Sequence, residues 1–272
     1  MEKQNITTGF QQVDNSQHEF LVKFLEDVGN YPQVAEGFES QLKWLDIREG
    51  DHVLDVGCGI GLQARAMAKL AGPNGKTAGT DLSSTMIEIA KSKNQSAGLP
   101  LEFFVADAAA QPFPDQSFDC IRTERVLMYV KDVKAVLAEF NRLLKPGGRV
   151  VIFDFDWDGI IISHRDKPLT RKIIRYASDS FPNGRIGPEL LKMLKEAGFT
   201  NVRIKPSSYS GNNAISIGFA KRIYEGILQT AVAEKLFTEQ EIDNWWKAFD
   251  EDAREDNLFV AFQGFIVNAV KP

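Results

Sequence analysis

Three glycines alternate with other residues in the segment DVGCGIG, where a short apolar run meets a helical pattern. Gly57, Gly59 and Gly61 tolerate positive φ and leave the backbone open, so a ligand can approach the chain closely at this turn. A dinucleotide-binding turn has the spacing G-x-G-x-x-G, and here Leu62 stands where its third glycine is expected. The spacing therefore argues against the pyrophosphate of a dinucleotide.

Carboxylates occur near the end of each of the first three predicted strands, HVLDVG, KTAGTD and LEFFVAD. Asp55 precedes the glycine turn, where it would repel phosphates but could pair with the ammonium group of an amino-acid ligand. Asp81 lies twenty residues after Gly61 and could accept hydrogen bonds from both hydroxyls of a ribose. Asp107 lies across the crevice, where it could accept one from an adenine amino group. S-adenosylmethionine has all three parts: an amino-acid end, a ribose and an adenine.

Strand-like and helical segments alternate from His52 onward, which is typical of βαβ units and a largely parallel sheet. The clearest helix is VKAVLAEFNRLL, whose apolar residues share one face and which Pro146 and Gly147 would end. The apolar segment LFVAFQGFIVNAV is predicted to be the final strand. The sequence therefore predicts an α/β fold.

Three segments do not follow this alternation: residues 1–48, about 156–183 and about 208–255. We expect them to cover a Rossmann-like core that spans residues 49–272. Residues 1–48 are predicted to form an N-terminal helical cap, and the other two segments are predicted to be cap insertions within the core.

The composition favours a cytoplasmic protein with a small-molecule substrate. The formal net charge is −5 and the pI is near 5.4, so no overall basic field attracts nucleic acid. No window approaches the roughly 18 apolar residues of a membrane span, and the polar N-terminus lacks the pattern of a secretory signal. Cys58 and Cys120 are too few for a disulfide framework, and His18, His52 and His164 are too far apart in sequence to suggest a metal site. We expect no nucleic-acid, membrane or metal partner, and a monomer or a homodimer.

Four motifs together resemble those of the class I S-adenosylmethionine-dependent methyltransferases, in the small-molecule branch that includes ubiquinone/menaquinone-type and natural-product methyltransferases. They are VLDVGCGIG, GTDLSSTMIEIAK, FVADAAAQPFPDQSFDCI and LLKPGGRVVIFD, within about residues 50–151. The resemblance implies a doubly wound, Rossmann-like sheet of seven strands whose last strand is antiparallel. It also implies that the cofactor lies over Gly57–Gly61, with Asp81 on the ribose and Asp107 and Ala108 at the adenine.

The predicted cofactor site extends from these residues to their neighbours. It comprises Asp55, Gly57, Cys58, Gly59, Gly61, Asp81, Leu82, Met86, Asp107, Ala108, Thr123 and Glu124. The segment TERVLMYV lacks the Asn/Asp-Pro-Pro-aromatic motif in which methyltransferases acting on DNA adenine and protein glutamine resemble one another, so those substrates are disfavoured. The predicted function is methyl transfer to an oxygen or nitrogen, and less readily a carbon, of a small molecule. A cofactor-binding protein without methyl transfer and an RNA or protein methyltransferase remain alternatives.

Catalysis of methyl transfer depends mainly on positioning the acceptor, and a hydroxyl or ammonium acceptor also needs a base. Residues expected to face the acceptor follow the fourth and fifth predicted strands: Glu124, Arg125, Tyr129, Asp154, Asp156, Trp157 and His164. His164 is the hypothesised base, because a neutral imidazole can accept a proton near pH 7. Asp156 would orient His164 or substitute for it.

Overall fold

The computed structural model of the protein describes residues 6–10, 14, 18–29 and 31–272. Eight strands within these residues form one sheet. The strands are β1 (His52–Val56), β2 (Lys76–Asp81), β3 (Leu101–Val105), β4 (Phe118–Glu124), β5 (Leu144–Ile162), β6 (Thr200–Pro206), β7 (Tyr209–Gly211) and β8 (Val260–Val270). Their order across the sheet is β3, β2, β1, β4, β5, β8, β6, and β7 pairs with β8 beyond the end of β6.

Strands β1 to β5 run parallel to one another, and β8 is antiparallel to β5, β6 and β7. This arrangement confirms the α/β class and the antiparallel last strand. The sheet has eight strands instead of seven because pairing along β8 is interrupted after β6. The last hydrogen bond before the interruption runs from the Ser207 N–H to the Gly264 carbonyl oxygen, and pairing resumes at Tyr209, opposite Phe262.

Helices connect the strands and surround the sheet. The described helices are α1 (Ile6–Gly9), α2 (His18–Gly29), α3 (Pro32–Leu45), α4 (Leu62–Ala71), α5 (Ser84–Asn94), α6 (Val133–Leu143), α7 (Lys167–Asp179), α8 (Ile186–Glu196), α9 (Ala214–Ala233) and α10 (Glu239–Arg254), with a 3-10 turn at Leu127–Tyr129. Helix α6 buries the predicted apolar face. It ends before Pro146 because Leu144 already begins β5.

Strand β5 is longer than the sequence analysis expected. It continues to Ile162 and pairs with β8 on both sides of a register shift between Asp156 and Ile161. The first residues of segment 156–183 therefore belong to the sheet, and its remainder holds α7. The other two irregular segments hold α1 to α3 and, after β7, α9 and α10.

The centre of the sheet is apolar, so polar side chains collect at the strand ends. Val150, Val151, Ile152 and Phe153 in β5 have no exposed surface, as expected for a strand covered on both faces. No described helix is long and apolar enough to cross a membrane, and the same residues hold no group of three or more His, Cys, Asp or Glu arranged to bind a metal ion.

Candidate active site

A cavity of about 700 Å³ opens at the carboxyl ends of β1 to β4, the edge where open α/β sheets bind ligands. We call one wall the glycine half: it comprises Asp55–Ile60, Leu62, Gln63, Asp81, Leu82, Met86 and Ala106–Ala109. We call a second part of the lining the aromatic half: it comprises Ile6, Phe10, Phe24, Met128, Tyr129, Phe155, Trp157, Phe219 and Ile223. Glu124 and Arg125 line the cavity as well, at the end of β4.

The glycine turn has the conformation that its sequence predicts. Gly57, Gly59 and Gly61 have φ of +72°, +51° and +77°. A Cβ on Gly57 would lie 2.1 Å from Val126 Cγ2, so only glycine lets the turn approach the segment after β4. The N–H groups of Gly57 and Cys58 both donate to the Thr80 carbonyl oxygen, which ties the turn to β2.

Two predicted cofactor contacts do not line the cavity. Gly61 is the N-cap residue of α4, and a Cβ there would collide with Phe103, so this glycine serves helix packing. Thr123 is buried, with its side chain on the opposite face of β4 from Arg122 and Glu124, because successive residues of a strand point to opposite faces. The structure therefore places Gly61 and Thr123 outside the lining of the cavity, apart from the other predicted cofactor residues.

Asp81 is held by the backbone of the turn beside it. Its Oδ2 accepts a hydrogen bond from the Gly59 N–H at 2.9 Å, and its Oδ1 accepts one from the Ser83 N–H at 3.0 Å. Burial raises the pKa of Asp81, and these two hydrogen bonds oppose the rise. The carboxylate is thus fixed at the mouth of the crevice, where it retains lone pairs for a ligand.

Asp14 caps the helix that follows Asp81. Its carboxylate accepts hydrogen bonds from Ser83 Oγ and from the N–H groups of Ser84 and Thr85, at the N-terminus of α5. Burial raises the pKa of Asp14, but these hydrogen bonds outweigh burial and hold it well below its ordinary value. Asp14 is thereby held next to the turn that follows Asp81, a contact that the sequence pattern does not indicate.

A buried charge network lies under the cavity. Arg122 Nη1 donates to Asp55 Oδ1 at 2.9 Å, its Nε donates to Gln41 Oε1 at 2.9 Å, and its Nη2 pairs with Glu124 Oε2. Gln41 in α3 donates in turn to Glu124 at 2.8 Å. Burial raises the pKa of Glu124, but Arg125 and Arg122 more than compensate, so Glu124 is held ionised. An arginine inside the apolar strand FDCIRTE was the available signal for this network.

Asp55 retains an unused acceptor inside the site. Its Oδ2 is buried and has no hydrogen-bond partner among the described residues, although its Oδ1 is engaged by Arg122. An ammonium group would satisfy that oxygen. With Asp81 at the mouth and Asp107 and Ala108 on the same wall, the glycine half fits the amino-acid end, ribose and adenine of S-adenosylmethionine.

Three other predicted contacts lie on this wall in different environments. Leu82 is largely exposed and Met86 is buried. The Cys58 thiol is buried in a small cluster with Ala64 and Phe103, and burial raises its pKa well above the ordinary value. The thiol is therefore not a reactive group.

The aromatic half is assembled from segments distant in sequence. Trp157 in β5 stacks on Phe181 at 4.4 Å between ring centroids, and its Nε1 donates to Met128 Sδ. Phe219 in α9 stacks against Phe24 in α2 at 6.2 Å. These side chains form an apolar part of the cavity lining, and of its residues only Trp157 and Tyr129 were expected from the sequence to face the acceptor.

The structure contradicts the hypothesis that His164 is the base. His164 is buried outside the cavity lining, stacked on Trp245 at 4.9 Å between ring centroids. Its Nδ1 accepts a hydrogen bond from the Asp166 N–H at 3.0 Å, and its Nε2 donates to the Trp245 carbonyl oxygen at 3.1 Å. Both ring nitrogens are occupied, so the imidazole packs against α10 and has no access to an acceptor.

Asp156 and Asp154 also lie outside the cavity lining. In β5 the side chains of Phe155 and Trp157 face the cavity, so those of Asp154 and Asp156 point the other way. Asp156 accepts a hydrogen bond from the Asp158 N–H, and no hydrogen bond or ion pair joins it to His164 among the described residues. Asp154 is fully buried and holds the 3-10 turn by accepting from the Leu127 N–H at 2.9 Å.

Comparison with known proteins identifies the class that this fold and cavity define. Residues 54–152 match a protein family described as a methyltransferase domain. The ubiquinone/menaquinone biosynthesis C-methyltransferase UbiE of Francisella tularensis subsp. novicida is 33% identical over 190 residues, which cover 64% of this chain and 76% of that protein. The demethylmenaquinone methyltransferase of Staphylococcus aureus is 31% identical over 199 residues, which cover 66% of this chain and 80% of that protein.

The chain belongs to this family of S-adenosylmethionine-dependent, class I small-molecule methyltransferases. The predicted family, enzyme class and cofactor are thereby confirmed. A 37.1 kDa protein in transposon TN4556 of Streptomyces fradiae is 36% identical over 188 residues, and the match spans only 54% of its length.

Solved structures agree on the fold. YcgJ of Bacillus subtilis superimposes with a TM-score of 0.61 at 19% identity, covering 87% of this chain and 98% of that protein. Geranyl diphosphate C-methyltransferase of Streptomyces coelicolor, solved with S-adenosyl-L-homocysteine, gives a TM-score of 0.57 at 20% identity, covering 88% and 80%. At these identities the likeness establishes the Rossmann-like fold.

Proposed function

We propose that this methyltransferase methylates a ring carbon of an apolar, hydroxylated aromatic molecule of the quinol type. The observation that carries the proposal is the aromatic half of the cavity, where Phe24, Tyr129, Phe155, Trp157 and Phe219 line the same space as the glycine half. Flat apolar surfaces of this kind bind aromatic rings by burial and by ring packing, and they offer little to a small hydrophilic amine.

The glycine half holds the cofactor in this proposal. Asp55 accepts a hydrogen bond from the ammonium group, Asp81 binds the ribose, and Asp107 and Ala108 contact the adenine. When bound, S-adenosylmethionine supplies a methyl group activated by the sulfonium charge. The chain contributes position: the glycine turn sets one wall of the cavity and Trp157 and its neighbours set the other, which aligns an acceptor with a fixed donor.

The choice of carbon rests on the relatives. The sequence analysis ranked oxygen and nitrogen above carbon as the acceptor atom, whereas the Francisella relative is named as a C-methyltransferase of ubiquinone and menaquinone biosynthesis. The apolar aromatic half of the cavity suits an aromatic acceptor of this kind. The imidazole of His164, which could have acted as a base for an oxygen or nitrogen acceptor, lies outside the cavity against Trp245.

Caps over the core complete the proposed site. Side chains from α1, α2 and α9 supply Ile6, Phe24 and Phe219 to the aromatic half, so residues 1–48 and 208–255 act as the parts that select the acceptor. Residues 49–272 form the methyltransferase core in this division.

The test is to identify the methylated atom directly. The protein is incubated with S-adenosylmethionine carrying a ¹³C-labelled methyl group and either reduced 2-ethyl-1,4-naphthoquinone or ethanolamine, a hydrophilic amine. We expect a carbon-bound ¹³C-methyl signal from the naphthoquinol in the NMR spectrum and no product from ethanolamine. An oxygen-bound methyl group would contradict the choice of carbon, and methylated ethanolamine as the main product would contradict the acceptor class.

A further inference from the structure

Arg125 is held in an unusual backbone conformation at the end of β4. Its φ is +56°, a left-handed value that residues with a side chain rarely adopt, and its N–H donates to the Phe153 carbonyl oxygen at 2.8 Å. Strain of this kind persists where the surrounding structure imposes it, and it is concentrated at ligand sites. Here it turns the chain from β4 into the 3-10 turn and leaves the Arg125 side chain on the cavity wall.

The guanidinium of Arg125 has unused hydrogen-bond donors. Among the described residues, Arg125 forms one ion pair, between its Nη2 and Glu124 Oε1 at 3.0 Å. Its Nε and Nη1 donate no hydrogen bond to any of these residues. Arg122 differs, because its guanidinium is fully engaged by Asp55, Gln41 and Glu124. The Arg125 side chain is 16% exposed, so its free N–H groups are largely shielded from bulk water.

The charge of Arg125 acts on the aromatic half of the cavity. Burial raises the pKa of Tyr129, and Arg125 opposes part of that rise. Burial likewise raises the pKa of Asp154 to about 7, with Arg125 again opposing. In the glycine half, burial raises the pKa of Asp55 and the opposing charge is that of Arg122. Both arginines lower the pKa of Glu124, and Tyr129 is the residue of the aromatic half whose pKa Arg125 lowers.

We propose that Arg125 binds the ionised hydroxyl oxygen of the aromatic acceptor, an inference that rests on the proposed function. An unperturbed phenol has a pKa of about 10, and an adjacent guanidinium favours the charged form by roughly 1 to 3 pKa units. The hydroxyl proton leaves to solvent, and the negative charge spreads from the oxygen onto the ring carbons ortho and para to it. Arg125 thus makes a ring carbon nucleophilic. As the new carbon–methyl bond forms, the sulfur–methyl bond of the cofactor breaks; the methylated ring carbon then releases its hydrogen to solvent as a proton, and the aromatic ring is restored.

The test uses a probe whose ionised form is coloured. 4-Nitro-1-naphthol and its neutral match, 1-methoxy-4-nitronaphthalene, are titrated separately into protein saturated with S-adenosylhomocysteine. We expect the wild-type protein to bind the naphtholate about tenfold or more tightly than the methyl ether, the usual effect of a charge-assisted hydrogen bond. The absorbance of the bound probe should also show that its pKa is lowered.

Two variants separate recognition by Arg125 from a general charge effect. Arg125→Gln should abolish both the preference for the naphtholate and the lowered pKa of the bound probe. Lys131→Gln removes the same charge from an exposed residue that lines the same cavity, and it should leave both properties intact.

Three outcomes would overturn the proposal. The first is equal wild-type affinity for the two probes. The second is an Arg125→Gln variant that keeps the preference with unchanged S-adenosylhomocysteine affinity, and the third is one that keeps the preference but loses tenfold in S-adenosylhomocysteine affinity. The last would assign Arg125 to the cofactor carboxylate. Failure of this inference can be distinguished from failure of the proposed function, because a protein that does not methylate the naphthoquinol can still bind the naphtholate through Arg125.

Discussion

The two halves of the cavity are built from very different stretches of the chain. The glycine half comes from residues 55–109, a run of successive strand ends, whereas the aromatic half draws on side chains from Ile6 to Ile223. A parallel sheet brings consecutive strand ends to one edge, so short motifs are enough to locate the first half. The second half exists only after helices from both ends of the chain have packed over the sheet.

This difference separates the chemistry common to the family from the choice of acceptor. The glycine half is rigid, with turn glycines at positive φ and Asp81 fixed by two backbone hydrogen bonds. The aromatic half is a packed surface whose shape depends on ring contacts such as Trp157 with Phe181. Substitutions in the first half should affect every ligand, and those in the second should affect the acceptor alone.

The largest effect is expected for Gly57→Ala. Its added Cβ would collide with Val126 at a positive φ, so we expect the affinity for S-adenosylhomocysteine to fall by roughly a hundredfold, about 2.7 kcal/mol, in calorimetry. Gly98→Ala is the matched control, because Gly98 also has positive φ but has open space around it. Equal affinities in the two variants would contradict the role given to the turn.

Trp157→Phe tests the aromatic half and should affect the acceptor without affecting the cofactor. Loss of part of the ring surface should raise KM for the naphthoquinol about three- to tenfold, with S-adenosylhomocysteine affinity unchanged, since an aromatic pair contributes roughly 0.5 to 1.5 kcal/mol. Trp245→Phe is the control: Trp245 is buried but lies outside the cavity, so Tm should fall and KM should stay constant. A cofactor defect in Trp157→Phe would mean that the two halves are not separable.

Asp154 should give the protein a pH-dependent stability. Burial raises its pKa from 3.8 to about 7, so between these values the folded protein retains a proton that the unfolded chain has lost. The free energy of unfolding should therefore fall as the pH rises from 5 to 7, by up to about 1.4 kcal/mol per pH unit, and level off above.

Asp154→Asn should flatten this dependence in urea unfolding measured at pH 5, 6 and 7. Asp158→Asn, an exposed change on the same strand, should retain the wild-type slope. Parallel curves for Asp154→Asn and the wild type would show that Asp154 does not titrate in this range.

The smallest effect on turnover is expected for His164→Ala. The imidazole stacks on Trp245 and its nitrogens are occupied, so its removal should lower the free energy of unfolding by about 1 to 3 kcal/mol and leave turnover within twofold. The expected turnover is checked with the naphthoquinol as acceptor, as the rate per folded molecule. A decrease of about a hundredfold or more would restore His164 as the base.

The sequence predicted the fold class and most of the glycine half because those features are local. Glycine spacing, a carboxylate after each strand and the alternation of strands with helices require no knowledge of distant contacts. Gly61 and Thr123 lie off the cavity lining for a local reason too: motif position does not specify which face of a strand or turn a residue occupies.

The aromatic half was largely invisible in the sequence. Phe24 and Phe219 lie in amphipathic helices, where an aromatic residue is normally read as core, and only their packing places them on the cavity. His164 was attractive because it follows β5, but β5 runs eight residues beyond Asp154 and carries the imidazole past the cavity to α10. The length of the strand and the face to which each side chain points decide whether a residue after β5 reaches the cavity.

Calorimetry on Asp81 tests the central claim most directly, namely that the glycine half is a site for S-adenosylmethionine. We predict that the wild-type protein binds S-adenosylhomocysteine and not NAD, and that Asp81→Ala weakens this binding by roughly tenfold or more, since it removes charge-assisted hydrogen bonds of about 1.5 to 3 kcal/mol each. The folded state of the variant is checked by circular dichroism. NAD bound as tightly as S-adenosylhomocysteine, or a folded Asp81→Ala variant with wild-type affinity, would contradict the account.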